Sequence, residues 1–91
     1  MSKKLSYQDR VRLAVKSAIN QRLHLIAQDK SKSEITKDDC LTLQQKMELL
    51  RSASQFQAFV LVNFDMLYRM IPATNRPARA NLIALSNEKI H

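Results

Sequence analysis

Apolar residues crowd most densely between positions 56 and 71, where the chain reads FQAFVLVNFDMLYRMI. Set about 100° apart on a helix, they cover most of the circumference and leave only a strip of Ala58, Asp65 and Arg69 for water or an ion pair. FVLVNF is also rich in strand formers. The length of the run and the lack of turn residues near it favour a helix over about 55–71. Such a helix has to be buried, and the rest of the chain is read around that requirement. Pro72 ends it.

Upstream, Ser6-x-x-Asp9 resembles a capping box and starts a first helix over about 7–28. Tyr7, Val11, Ala14, Val15, Ala18, Ile19, Leu23, Leu25 and Ile26 share one half of its circumference. Arg12, Lys16 and Asn20 make a row on its flank. Arg22 breaks the pattern by projecting into the apolar half. It either snorkels or pairs with Asp29 or Asp65, or it meets a partner protein. A polar loop, DKSKSEITK, follows. Thr36-x-x-Asp39 then caps a second helix over about 37–51, striped by Cys40, Leu43, Met47 and Leu50. That stripe is too short for a coiled coil.

Run straight into the next segment, the second helix would present its stripe about 180° from that of residues 56–71. A break at Ser52–Ser54 is simpler than one two-faced helix, and Ser54-x-x-Gln57 supplies a capping box for it. Asn63 falls at the centre of the apolar side, among Phe56, Phe59, Leu67 and Met70. It either fixes the register of a helix pair or bonds to backbone. Beyond Pro72, Asn75 or Arg76 caps a final helix over about 77–88, with Pro77 in its first turn and a weak stripe of Ala78, Leu82 and Leu85. The expectation is a single all-α domain, a three- or four-helix bundle with a flexible basic arm at residues 1–5.

Composition agrees: 91 residues hold no glycine and two prolines, which disfavours tight hairpins and phosphate-cradling loops. The net charge is +7 and unevenly placed: +6 over residues 1–37, −1 over 38–71 and +2 beyond. A concentrated positive field attracts polyanions. Lys3, Lys4, Arg12, Lys16, Lys30 and Lys32 supply it at the N-terminal side, and Arg76 and Arg79 at the start of the last helix, where the helix dipole already favours an anion. Contacts of that kind are made to backbone phosphate, so they respond strongly to salt and carry little sequence information.

Catalysis finds no support in the sequence. His24 and His91 have no companion at metal-ligand spacing, and without glycine there is no phosphate loop or nucleophile elbow. Single Cys40, on an apolar stripe, reads as a core residue in a reducing compartment, with no internal disulfide. No cofactor and no metal is implied. The opening MSKKLSYQDR has no apolar run after its lysines, and residues 56–71 are too short and too polar to span a bilayer, so a cytoplasmic location without membrane contact is expected. Helix one lacks Trp and Phe on its apolar face, which argues against lying on a membrane surface.

The function expected is that of a small, basic, non-enzymatic protein in a nucleic-acid process, a transcription regulator or a small subunit of a nucleic-acid-handling complex. The alternative is a protein-only adaptor or inhibitor whose basic face meets an acidic partner. In either case Arg22, Phe59, Asn63, Met66 and Met70 are candidates for a protein interface or a homodimer seam, because the other helices offer limited apolar area to surround residues 56–71. No small-molecule substrate is implied.

Overall fold

The computed structural model describes residues 4–28 and 35–90. Among them are five helices and no strand: α1 (Tyr7–Ala27), α2 (Lys37–Glu48), α3 (Ala53–Val62), α4 (Phe64–Met70) and α5 (Arg76–Asn87). The all-helical class stands, and the count is one higher than the three or four expected. None of these helices is long and apolar enough to cross a membrane. The arm residue Lys3, the loop lysines Lys30 and Lys32, and His91 lie outside the described residues.

Local sequence sets the helix starts. Ser6 accepts the Asp9 N–H at α1. At α2 the capping box is reciprocal: Thr36 Oγ1 accepts from Asp39 N–H, and Asp39 Oδ2 accepts from Thr36 N–H. The chain does break between the second and third helices, but slightly earlier than expected. Ser52 is the cap of α3, with Gln55 as its reciprocal partner, in place of Ser54 and Gln57. Gln57 is engaged elsewhere, donating from Nε2 to the Glu88 carbonyl at the end of α5.

The expected helix over 55–71 is two helices, α3 and α4, joined at Asn63. The physical reason lies in one shared carbonyl: both the backbone N–H of Asn63 (3.0 Å) and its side-chain Nδ2 (2.9 Å) donate to Phe59 O. A second donor from the side chain bends a helix without removing its ladder bonds, and Leu67 N–H still donates to Asn63 O (3.0 Å). Of the two readings of Asn63, the bond to backbone is the one present.

One core joins all five helices. Val11, Val15, Cys40, Phe56, Val60, Leu67 and Met70 have no measurable exposure, and Met47, Leu82 and Leu85 have almost none. The first and last helices run antiparallel. Tyr7 Oη donates to Leu85 O (2.7 Å) and Arg10 meets Glu88 at one end, while Asn75 Nδ2 donates to Gln21 Oε1 (3.3 Å) at the other. Each fully buried aliphatic or aromatic side chain in such a core contributes about 1.5–3 kcal/mol.

Candidate nucleic-acid interface

The basic residues form two groups. The first lies along the N-terminal half of α1. Lys4, Arg12 and Lys16 are all exposed, and Arg12 lays its guanidinium over the Phe56 ring of α3, 5.2 Å from the centroid. Arg10, one turn from the start of the same helix, is taken by Glu88 in a two-pronged pair at 2.5 and 2.7 Å. That bond holds the Glu88 carboxyl below the ordinary glutamate range, with the nearby charges of Arg10 and Lys4 adding to it. Burial raises the Tyr7 hydroxyl above its usual value, and the negative Glu88 beside it adds to the rise.

The lowered Glu88 carboxyl has a consequence for acid stability. A depressed carboxylate contributes above its unfolded pKa, and the contribution is lost as pH falls through the folded value. The link between α1 and α5 therefore weakens below the ordinary glutamate value of 4.5. Urea midpoints measured between neutral pH and about pH 3 should fall less steeply for Glu88→Gln than for the parent chain. Parallel curves for the two proteins would show that the pair contributes nothing.

The second group sits at the start of α5. Asn75 caps the helix, accepting the Ala78 N–H (3.3 Å), and Pro77 has no N–H to give. The helix terminus thus offers fewer free donors than its sequence suggests. Arg76 is exposed. Arg79 is half-buried: its Nε and Nη2 both donate to Ile71 O (3.2 and 2.8 Å), and its Cζ sits 4.3 Å from the centroid of the Tyr68 ring. Phe64, one turn before Tyr68 on α4, stacks on it with centroids 5.7 Å apart and planes at 23°.

The two groups sit on different flanks of α1. Arg12 lies on the α3 side of α1, whereas Leu13, Ser17 and Gln21 of α1 face Ala78 and Asn81 of α5. The second group is near Gln21, about 14 Å along the axis from Arg12 and about 8 Å from Lys16.

The residues expected at a protein interface are mostly inside the chain itself. Phe59 and Met70 are buried and Met66 is partly buried. Asn63 is half-buried with its amide bonded to Phe59 O. Arg22 is buried and donates from Nη2 to the Arg69 carbonyl, while Asp65, one of its expected partners, pairs with Arg69 (3.0 Å). Arg22, Met66 and Met70 are engaged by packing within one molecule, while Phe59 and Asn63 also line an exposed groove. The apolar surface that does reach solvent was not legible beforehand: Leu49 (74% exposed) and Val62 (82%) flank a shallow groove of about 470 Å³ whose other apolar walls are Leu50, Ala58 and Phe59. The groove depends on α2 ending at Glu48, earlier than the expected 51, which leaves Leu49 beyond the last turn.

Other reactive groups are isolated. His24 is exposed, with Nε2 at 2.9 Å from Gln28 Nε2. Cys40 is fully buried, and burial pushes its thiol pKa up, so the thiolate needed for nucleophilic or metal chemistry is disfavoured. Among the described residues no three of His, Cys, Asp and Glu come together as a metal site would require. Comparison of the chain with protein-family models, with curated proteins and with solved structures finds no match.

Proposed function

We propose that this is a small, non-enzymatic, nucleic-acid-associated binding protein that contacts the phosphate backbone, acting as a transcription regulator or as a small subunit of a nucleic-acid-handling complex. The supporting observation is a set of exposed cations outside any ion pair. Of the carboxylates among the described residues, Asp9, Asp39, Asp65 and Glu88 are committed to caps and ion pairs, and Asp38 and Glu48 are exposed. Lys4, Arg12, Lys16 and Arg76 are exposed, and among the described residues none of them has a carboxylate at ion-pair distance. Exposed cations outside ion pairs create a field that phosphate oxygens neutralise, with release of counterions.

The test is a mobility shift against DNA and RNA across a series of salt concentrations. Four phosphate contacts predict a slope of about −3 to −4 in log affinity against log salt on duplex DNA. Replacing Lys4, Arg12 and Lys16 together by Gln should make that slope shallower by about 2–3. No binding to either nucleic acid even at low salt would reject the proposal.

The exposed groove beside Leu49 and Val62 favours a second reading, a protein-only adaptor or inhibitor in which an acidic partner meets the basic face. It predicts no nucleic-acid binding. A homodimer through the same groove would show as a concentration-dependent mass by light scattering, and a constant monomer mass would exclude it.

A further inference from the structure

Tyr68 and Arg79 come from different helices, and the guanidinium carbon sits over the ring, 4.3 Å from its centroid. The guanidinium plane is fixed because Nε and Nη2 are both spent on Ile71 O, and the ring beneath it is backed by Phe64 on the same helix. Three flat groups, Phe64, Tyr68 and Arg79, thus follow one another across the α4–α5 junction. Beside Tyr68 and Arg79 opens a cavity of about 360 Å³. Its α5 wall is made of the small Ala80 and the exposed aliphatic Ile83, with Ala73 across from them and Arg76 on the same rim.

The chemistry of this cavity is selective. A carboxylate or phosphate would seek the forked donors of an arginine, but two of the donors of Arg79 already serve a backbone carbonyl. What Arg79 offers is the guanidinium face turned away from Tyr68, with the small walls of Ala73 and Ala80 leaving room beside it. Arg76, one turn earlier than Arg79 and exposed, offers a full set of donors. A planar surface next to a free cation matches a flat heterocycle joined to a phosphate. Nucleobases stack on aromatic rings and on arginine planes, and this requires a base that is not already stacked within a duplex.

We propose that the α4–α5 cavity is a stacking site for an unpaired base of single-stranded nucleic acid, with the Arg79 guanidinium supplying the plane, Tyr68 backing it and Arg76 holding the neighbouring phosphate. The proposal rests on the nucleic-acid reading above and deepens it. It assigns Arg79 a stacking role in place of the phosphate contact expected from sequence. It also adds to the second basic group a base contact that only a single strand can satisfy, while Arg76 and the α1 group meet phosphate in either form.

The experiment is fluorescence anisotropy with the full chain and three labelled probes: oligothymidylate, oligouridylate and a blunt DNA duplex of equal length. Ala80→Leu fills the cavity without changing charge, at an exposed helix position where leucine is well tolerated. Tyr68→Leu removes the ring while keeping apolar bulk. The parent chain should bind the single strands more tightly than the duplex by about tenfold. Ala80→Leu should remove that preference and leave duplex affinity within about twofold, as the loss of one stacked base predicts. Tyr68→Leu should do the same. If Tyr68→Leu unfolds by circular dichroism, Ala80→Leu decides alone. Equal binding of all three probes, with Ala80→Leu silent, overturns the stacking site and leaves the phosphate reading standing. Absence of binding to every probe at low salt overturns both.

Discussion

Replacing Phe56 by alanine is expected to cost about 3–5 kcal/mol of stability, the range for removing a buried aromatic ring. Phe56 has no exposed surface. It stands in the first turn of α3, close to where Gln57 reaches the end of α5, and it carries the Arg12 guanidinium of α1 on its ring. Three helices therefore meet around one side chain, and a void there cannot be closed by moving any one of them. A domain of this size has about 5–14 kcal/mol in total, so the loss is a large share of it. Urea denaturation followed by circular dichroism measures it. A shift below about 1 kcal/mol would show that the three helices do not depend on the ring. Because Arg12 loses its platform, the variant should also bind nucleic acid less well even where it remains folded.

Arg22→Ala is expected to cost about 2–4 kcal/mol, combining a lost charge-assisted bond with lost packing of the side-chain stem. The mechanism lies in α4, which has only seven residues. So short a helix leaves most of its carbonyls without a helical donor, and a cation near its C-terminus is favoured by the dipole. Two arginines supply what is missing: Arg22 from α1 serves Arg69 O, and Arg79 from α5 serves Ile71 O. Arg22→Met separates the two contributions, since it restores bulk without a donor. Urea unfolding should find Arg22→Met intermediate between Ala and the parent chain. A methionine variant as stable as the parent would show that the carbonyl bond contributes nothing.

The parts of the fold that follow from short-range rules were legible in the sequence. Ser6 and Thr36 set two helix starts through residues three positions away, and the opposed stripes of residues 40–50 and 56–71 required a break. The choice between Ser52 and Ser54 was not legible, because both are followed three residues later by glutamine. It is settled by Gln57 reaching Glu88, a contact 31 residues distant. The split at Asn63 was hidden for a related reason: helical phase describes where a side chain projects, and not which carbonyl it will take. For the candidate site, exposure of Arg12, Lys16 and Arg76 could be read from phase and position. The pairing of Arg10 with Glu88 and of Arg79 with Tyr68 could not, since each depends on how whole helices dock. Arg22 was recognised as anomalous, while its partner, a backbone carbonyl 47 residues away, has no sequence signature.

The antiparallel seam between α1 and α5 also orders events during synthesis. Tyr7 and Arg10 leave the ribosome before Leu85 and Glu88, which follow 78 residues later. At ordinary elongation rates that interval is roughly 4–16 s. Until then α1 is an amphipathic helix whose apolar side lacks its last cover, with the guanidinium of Arg10 still unmatched. The seam is thus the step that completes the domain, and a nascent chain halted within α5 would hold four helices without the bonds that join the first to the last.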